Sequence, residues 1–379
     1  LEPVPAVRVT QVHYRFDLAE QCLTVITQLS KHSEAEIEIE VQQPNGQPLR
    51  VRGSAKGRSA LTQTLQISMP RLWHPQDPYL YSVSIRLLTN EIETDRVESY
   101  TGLRSLSVAD DQILLNGEPI YLRGVLDQGY FPEGWYTATT DNALKQDVEL
   151  TLAMGFNLAR KHQKFEDPRY LYWADRLGLM VWSEMPSGRI FSETLMTDLT
   201  AEWIALIQRD QPHPCIVGWV PFNESWGLWH QSTRPEQRHF ADAIYHLTKA
   251  LDPTRPVITN DGWEYSTGDY WTLHLYDSTS ATLQNRLASL TQNPAQSIHD
   301  GPNPRVGALA GADPSHLPLL LTECGGIGLV ATSDIGPGDA FFYGDMPQDA
   351  EEFLTRTAAL LDAINETPRL RGFVWTQLT

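Results

Sequence analysis

The sequence predicts two successive folded units, an all-β immunoglobulin-like sandwich over residues 1–103 and an α/β unit of the (β/α)8 TIM-barrel type over residues 104–379. Length is the first indication, because 379 residues exceed what one hydrophobic core usually organises. In the first hundred residues, apolar and polar side chains alternate with period two, as half-buried strands require. From about residue 119, strand-like runs alternate with amphipathic helical runs.

The sandwich is predicted from about six or seven short strands. Its clearest runs are Glu36–Val41 and Tyr81–Leu87, in which every second residue is apolar. Further runs lie at Val7–Val12, Leu23–Thr27, Leu61–Met69 and Asp95–Tyr100, separated by turn residues such as Pro44-Asn45-Gly46. The Cys…Trp…Cys spacing of true immunoglobulin domains is absent, so the sequence predicts the architecture alone.

The barrel is predicted from the order and spacing of its elements. A hairpin at Ile113–Leu115 before Asn116-Gly117 precedes it. Strands are expected at about residues 119–125, 156–160, 179–185, 215–222, 256–260, 270–276, 318–323 and 371–378. Helices are expected from Asp141, which is its predicted cap, to a stop at Gly155, and at about residues 168–177, 194–209, 235–250, 280–290 and 348–366. A doubly wound sheet is the alternative, but its usual Gly-rich first turn is missing.

The two ends of the sequence lead to an expectation about the extent of the chain. The sequence does not begin with Met, and it ends at Thr379, directly after the last predicted strand. We therefore expect a barrel truncated after its eighth strand, with further domains in the same longer chain. Leu1-Glu2-Pro3 does not resemble a signal peptide, and the cellular compartment is left undetermined.

Charge and composition narrow the classes of partner. The formal net charge of −18 repels phosphate backbones and anionic lipid surfaces, so neither nucleic acid nor a membrane is expected. Cys22, Cys215 and Cys324 are far apart, which disfavours disulfides and structural zinc. A neutral small molecule such as a carbohydrate fits better. No metal or cofactor is predicted, and a homo-oligomer is left open.

Candidate site residues follow from the position of the predicted strand ends, because the carboxyl ends of the strands carry the chemistry in a barrel of this kind. In chain order the polar and aromatic residues at these points are Asp127, Arg160, His162, Glu184, Asn223, Glu224, Asn260, Asp261, His274, Tyr276, Glu323 and Trp375.

Two of these residues, Glu224 and Glu323, each end a strongly apolar strand, Ile216–Val220 and Leu319–Leu321. An unpaired buried charge costs several kcal/mol, so a carboxylate at such a position needs a reason. Each glutamate alone could be a solvated strand end or half of a core ion pair. Together across one barrel mouth, they match the two carboxylates of a glycosidase, which lie ~5–5.5 Å apart when anomeric configuration is retained.

Motifs in both halves of the chain carry a family resemblance. In the barrel they are Gly155–Arg160, Asp175–Glu184, Trp219–Glu224 and Leu321–Gly325; before it they are Leu72–Pro75, Pro78–Tyr81 and Leu115–Pro119. These segments resemble glycoside hydrolase family two, the β-galactosidase, β-glucuronidase and β-mannosidase family, over nearly the whole chain. The resemblance implies a retaining, exo-acting β-glycosidase that hydrolyses terminal β-linked sugars, with a β-galactosidase as the first expectation.

The resemblance also implies the roles of the central residues. Glu224 is implied as general acid/base and Glu323 as nucleophile, with Asn223 hydrogen-bonded to the 2-hydroxyl of the sugar. A turn-forming residue is the alternative for Asn223. Because the acid needs a raised pKa while the nucleophile must stay ionised, the two carboxylates are expected to have different surroundings.

Other residues are expected to support this pair. Arg160, His162 and Tyr276 are expected to hold Glu323 as a charged carboxylate. A surface loop histidine is the alternative for His162, and His274 could equally be a satisfied core residue. Glu184 is expected either to contact substrate or to pair with Arg160.

Aromatic residues and the first loop complete the prediction. Trp375 is the first choice for stacking against a sugar face, and Trp226, Trp229 and Trp135-Tyr136 are further candidates. Asp127 is a candidate substrate contact because it follows the first strand.

The sequence departs from better-known family members where the terminal sugar is held. Gly124–Pro132 lacks their Asn-X-His-Glu-type run, and Arg160-Lys161-His162 is tighter than the usual Arg-X-X-His. The leading jelly-roll domain of the family is also missing. The glycone is therefore not assigned by the sequence.

Two alternatives stay open at this point. A metal-dependent hydrolase in the same barrel would need clustered His and Asp ligands, which Leu126–Gly129 does not supply. A non-catalytic carbohydrate-binding or scaffold barrel would keep the fold without turnover.

Overall fold

The first hundred residues form two antiparallel sheets. The structure, a computed structural model, describes residues 3–298, 304–329 and 343–378. The strands are β1 (Val9–Asp17), β2 (Cys22–Ser33), β3 (Glu36–Gln42), β4 (Pro48–Ser54), β5 (Arg58–Gln66), β6 (Tyr81–Thr89) and β7 (Ile92–Thr101). They pair in the orders β1-β2-β5 and β4-β3-β6-β7. The predicted sandwich is therefore confirmed.

The core between these sheets follows the alternation of the sequence. Ile37, Ile39 and Val41 of β3 are fully buried, and they pack in one cluster with Val25 of β2 and Val83 of β6. Strand β4 was not predicted from the sequence. This strand lies at a sheet edge and contains no fully buried residue, so its apolar signal is weak.

A small three-stranded sheet joins the sandwich to the barrel. It consists of β8 (Leu106–Ala109), β9 (Gln112–Leu115) and β10 (Glu118–Pro119). The turn between β9 and β10 contains Asn116 at φ +57° and Gly117 at φ +85°. Asn and Gly tolerate the left-handed conformation that a two-residue hairpin turn needs, so the predicted hairpin is confirmed.

The barrel follows. Its strands are β11 (Leu122–Asp127), β12 (Leu158–Lys161), β13 (Met180–Glu184), β14 (Ile216–Val220) with its short continuation β15 (Phe222–Asn223), β16 (Asn260–Asp261), β17 (Trp271–His274), β18 (Leu319–Gly325) and β19 (Leu370–Thr376). A parallel sheet runs β14-β13-β12-β11-β19-β18-β17.

The ring closes through the short strand β16. This strand pairs in parallel with β15, and the amide of His274 donates to the carbonyl of Gly262 at 3.1 Å. The predicted order of eight barrel strands is thus confirmed, including the short link between the fifth and sixth. Parallel strands in a closed ring bring all their carboxyl ends to one rim.

Helices cover the outside of the barrel. They are α1 (Asp141–Ala153), α2 (Pro168–Leu177), α3 (Glu193–Asp210), α4 (Pro235–Leu251), α5 (Ser280–Gln292) and α6 (Ala350–Asn365). Thr140, not Asp141, caps α1, because its hydroxyl accepts from the amide of Ala143 at 3.1 Å. Asp141 lies in the first turn instead, where a carboxylate interacts favourably with the helix dipole. Across the described ranges, no helix is long and apolar enough to cross a bilayer.

Buried hydrogen bonds connect the sandwich to the base of the barrel. Asp175 of α2 is fully buried, accepts from the hydroxyl of Tyr100 at 2.8 Å, and offers its carbonyl to the indole of Trp73 at 2.8 Å. Arg104, the first residue of the predicted barrel unit, donates to the carbonyls of Pro214 and of Ile216 at the start of β14. The two units therefore share desolvated polar contacts, while a domain boundary after residue 103 stays a prediction.

Candidate active site

A cavity of about 570 Å³ opens at the carboxyl-terminal rim of the barrel. Its lining includes Asn223, Glu224, Tyr276 and Glu323 from the ends of the fourth, sixth and seventh strands. All four residues were predicted at strand ends, and the closed ring of parallel strands brings them together.

Glu224 and Glu323 meet across this cavity with His274 between them. One carboxylate oxygen of each glutamate and a ring nitrogen of His274 all lie within 4.8 Å of one another. His274 Nδ1 is 2.8 Å from Glu224 Oε1 and 3.5 Å from Glu323 Oε1. Separations of about 5–5.5 Å are typical of retaining glycosidases, whereas inverting enzymes leave about 6.5–9.5 Å for a water molecule.

A fully buried arginine forms the floor beneath the pair. The guanidinium of Arg160 lies 2.7 Å from Glu184, 2.6 Å from Asp261 and 3.1 Å from Glu323, and it donates to the side-chain oxygen of Asn223 at 2.6 Å. Burial alone would lower the pKa of Arg160, but the three carboxylates raise it above its usual value. The arginine therefore stays charged, and its fork fixes the side chains of Asn223 and Glu323.

The second oxygen of the predicted nucleophile has its own donor. The hydroxyl of Tyr276 donates to Glu323 Oε2 and lies 3.2 Å from the hydroxyl of Thr376. Burial, followed by the charge of Glu323, raises the pKa of Tyr276, so the phenol keeps its proton. Tyr343 stacks flat on the Tyr276 ring with the centroids 3.5 Å apart, which limits the movement of this donor.

His274 belongs to the site rather than to the apolar core. It is fully buried, and its Nε2 lies 3.0 Å from Asp261 Oδ2. Burial lowers the pKa of His274, but the carboxylates of Glu323 and Asp261 and the hydrogen bond to Glu224 outweigh it and raise the pKa to about 10. At neutral pH the ring is therefore an imidazolium that can donate to carboxylates on both sides.

The pKa of Glu224 differs from the expectation for a general acid. Burial raises it, but the hydrogen bond from His274 and its positive charge lower it below its ordinary value. In this arrangement the proton shared by Glu224 and His274 resides on the imidazole. The sequence could not show this, because His274 is fifty positions away along the chain.

His162 and Glu184 contact each other, and Glu184 also contacts Arg160. His162 lines the cavity, with Nδ1 3.2 Å from Glu184 and 4.0 Å from Glu323. Glu184 is fully buried and does not line the cavity. Burial raises its pKa, but Arg160 and His162 lower it below the usual value. Of the two roles predicted for Glu184, the geometry supports pairing with Arg160.

Of the predicted site residues, Arg160, Glu184 and His274 do not line the cavity, and the predicted substrate contacts Asp127 and Trp375 do not line it either. Asp127 is fully buried, where it accepts from Lys161 at 2.6 Å and from the amide of Gly129 at 2.7 Å. Its neighbour Leu126 lines the cavity instead, because adjacent residues of a strand face opposite sides.

Trp375 is the second of these predicted substrate contacts. It packs against Gly325, where an added Cβ would lie 2.6 Å from its ring, and it borders the core cluster of β17 and β18. Thr376 and Gln377 line the cavity in its place.

Several lining residues were not predicted. Gln128 and Gln163 follow β11 and β12 by one and two positions, so a search of the residues just after each strand would have found them. Among the predicted aromatics, Trp226 lines the cavity, whereas Trp229 packs edge-on against it with the centroids 4.5 Å apart. Trp135 is 80% exposed.

The central triad is also the place where a metal ion could bind. Glu224, His274 and Glu323 each offer one ligand atom, and these atoms lie within 4.8 Å of one another. The neighbouring guanidinium of Arg160 and the protonation of His274 both oppose a cation there, because ligands must be deprotonated.

Comparison with known proteins identifies one family for both halves of the chain. The family model "Glycosyl hydrolases family 2" matches residues 7–104, and "Glycosyl hydrolases family 2, TIM barrel domain" matches residues 106–308. A β-galactosidase of Pectobacterium atrosepticum is 31% identical over 217 residues, which are 54% of this chain and 20% of that protein. A β-galactosidase of Photobacterium profundum is 28% identical over 277 residues, which are 70% of this chain and 26% of that protein.

Solved structures show the same fold. A β-glucuronidase of Parabacteroides merdae superposes with a TM-score of 0.76 at 18% identity, covering 98% of this chain and 49% of that one. A family 2 β-galacturonidase of Eisenbergiella tayi gives a TM-score of 0.78 at 19% identity, covering 100% of this chain and 65% of that one. The chain spans only about a fifth to a quarter of the curated relatives named above. With both halves matched in order, the chain belongs to glycosyl hydrolase family 2.

Proposed function

We propose that this barrel is the catalytic unit of a retaining, exo-acting β-glycosidase of β-galactosidase type, with Glu224 as acid/base and Glu323 as nucleophile. The approach of the two carboxylates to within 4.8 Å carries the proposal, because a separation this short leaves no room for the water that an inverting enzyme places between them. The names of the curated relatives given above support the β-galactosidase type.

In the first step, an oxygen of Glu323 forms a bond to the anomeric carbon while the bond from that carbon to the leaving oxygen breaks. Glu224 gives its proton to the leaving oxygen, which departs as an alcohol. Arg160 and Tyr276 hold the two oxygens of Glu323 before the attack. Asn223, fixed by Arg160, is in place to donate to the 2-hydroxyl of the sugar as charge develops on the ring.

In the second step, Glu224 takes a proton from water as the water oxygen bonds to the anomeric carbon. The bond between the sugar and Glu323 breaks, and Glu323 returns to its carboxylate form. Before the first step, a proton shifts from His274 Nδ1 to Glu224 Oε1 along their 2.8 Å hydrogen bond, and after the second step the proton that Glu224 took from water returns to His274.

The charge of the cavity supports a neutral glycone over a uronic acid. Among the described residues, the lining contains no Lys or Arg, and the segment 330–342 contains none in its sequence. Arg160 is buried and already engaged by three carboxylates and Asn223. A uronate carboxylate would therefore meet Glu224 and Glu323 without a free cation. Gln128 and Gln163 offer neutral amides that suit sugar hydroxyls.

A panel of aryl β-glycosides tests the proposal on the full-length protein. We expect the galactoside to be hydrolysed much faster than the glucuronide or galacturonide, and the first-formed sugar to be the β-anomer by NMR. Glu224→Gln and Glu323→Gln should each reduce kcat by at least about 100-fold on a phenyl glycoside. Glu202→Gln, an exposed change on α3, is the matched control. An α-anomer as first product would refute retention, and loss of activity with a chelator would favour a metal-dependent hydrolase.

A further inference from the structure

The backbone that presents the predicted acid is held in an uncommon conformation. Glu224 has φ +52° and Ser225 has φ +55°, two consecutive non-glycine residues in the left-handed region. Such residues are energetically unfavourable and persist only where their surroundings enforce them. The neighbours of this turn therefore decide where the carboxylate of Glu224 points.

Strand β16 holds the backbone of the turn. The amide of Glu224 donates to the carbonyl of Asp261 at 2.9 Å, and the amide of Ser225 donates to the side-chain oxygen of Asn260 at 2.8 Å. Both acceptors come from the short strand that closes the barrel ring. The turn is thus tied to the adjacent strand and not only to its own.

The hydroxyl of Ser225 is the centre of a buried hydrogen-bond network. It donates to Glu264 Oε2 and accepts from the amide groups of Asn260 and Gln231, each at 3.1 Å. Ser225 is fully buried, and Glu264, Gln231 and Asn260 are 2%, 3% and 7% exposed. Bulk water therefore cannot easily replace these partners, which makes the network stronger and its loss more costly.

An ion pair fixes the outer end of the network. Arg305 donates to the second oxygen of Glu264, Oε1, at 3.0 Å, and the same guanidinium nitrogen lies 3.0 Å from the carbonyl of Trp229. The amide of Glu264 donates to the carbonyl of Val306 at 2.7 Å. Glu264 is therefore held at its carboxylate by Arg305 and at its backbone amide by Val306, so that the carboxylate offers a fixed acceptor to Ser225.

We propose that Ser225, Glu264 and Arg305 are positioning residues that aim the carboxyl group of Glu224 at the leaving oxygen. None of the three belongs to the catalytic pair, and they act through the left-handed turn. The inference rests on the proposed acid/base role of Glu224. A misplacement of about 1 Å can cost about 100-fold in rate, so loss of this network should weaken proton donation specifically.

The dependence of the hydrolysis rate on the leaving group distinguishes a misplaced acid from a general loss of stability. A 2,4-dinitrophenyl glycoside departs without a proton, whereas a phenyl glycoside needs one from the acid. A poorly aimed acid should therefore slow the phenyl substrate and spare the dinitrophenyl substrate. A general loss of folded protein would slow both equally.

The test uses the full-length protein and the best glycone from the aryl glycoside panel. Ser225→Gly removes the hydroxyl but suits the left-handed backbone, so it should remain folded. Glu264→Gln keeps the shape and removes the charge that Arg305 holds. We expect both to lower kcat/KM for the phenyl glycoside by about 10- to 100-fold and to change the dinitrophenyl value by less than about threefold. Ser266→Ala removes a hydroxyl–carboxylate contact with Asp242 elsewhere and should change neither.

Three results would overturn the inference. Equal losses on both substrates would assign the network to stability alone, particularly if thermal unfolding shifts in parallel. Unchanged activity on both substrates in the two variants would show that the turn at Glu224 and Ser225 keeps its conformation without the network. If the wild-type protein hydrolyses no glycoside of either kind, the proposed function fails and the positioning role fails with it, a pattern distinct from the first two.

Discussion

Replacing Arg160 by methionine removes the charge at the floor of the barrel while keeping a side chain of similar length. The guanidinium is fully buried and contacts Glu184, Asp261 and Glu323 at 2.6–3.1 Å, besides Asn223. Arg160→Met would leave three carboxylates close together without their shared cation. Breaking a buried pair in this way typically costs about 3–5 kcal/mol, so we expect the free energy of unfolding to fall by about that amount at pH 7.

The loss should depend on pH in a defined direction. Burial raises the pKa values of Asp261 and Glu184, but Arg160 lowers both below their ordinary range. Depressed carboxylate pKa values contribute stability above the unfolded values near pH 4, and this contribution is lost as pH falls through the folded values. Without Arg160 the contribution disappears, so wild type and variant should differ in stability by the full amount above roughly pH 5, and the difference should shrink as pH falls below roughly pH 4 toward the lowered folded pKa values.

Urea unfolding at pH 7 and at roughly pH 2.5 measures both quantities. Arg169→Met is the matched control, because Arg169 forms an exposed pair with Asp167 and its removal should cost much less. A loss below about 1 kcal/mol at pH 7 would refute the reasoning, since that is the range of exposed ion pairs. A loss that does not shrink between pH 7 and roughly pH 2.5 would refute the electrostatic explanation.

Two further predictions concern His274 and Gln128. Burial lowers the pKa of His274, but Glu323 and Asp261 raise it to about 10, so its stabilising effect is complete below its unfolded value near pH 6.5 and is lost as pH rises toward 10. Urea unfolding of His274→Gln should therefore show a smaller fall in stability between pH 7 and pH 10 than wild type; an equal fall would contradict this. Gln128→Arg places a cation in the cavity lining and should raise kcat/KM for an aryl glucuronide relative to the galactoside by about 10-fold, whereas Gln128→Asn should not.

Much of the site could be predicted because strand ends are visible in the sequence. Apolar runs stop at Asn223-Glu224 and at Glu323, and the geometry of a closed parallel ring then requires these ends to share one rim. Arg160 and Tyr276 follow from the same rule. The structure brings all of these residues within one hydrogen-bonded group.

The face of the strand from which each side chain projects could not be predicted as well. A shift of one residue along a strand turns a side chain to the opposite face, which is why Leu126 lines the cavity instead of Asp127. Irregular pairing between β18 and β19, where the register shifts between Leu321 and Cys324, makes such counting unreliable near Trp375. The proton position between Glu224 and His274 depends on charges from distant segments, so no local pattern contains it.

The contacts of Asp175 with the sandwich bear on how this chain can be divided and recombined. Cutting the chain after residue 103 would expose Asp175 to water and remove two of its hydrogen-bond partners, Tyr100 and Trp73. A barrel transferred alone into a chimera would therefore lack these buried hydrogen bonds at its base. Shuffling experiments in this family should exchange sandwich and barrel as one cassette.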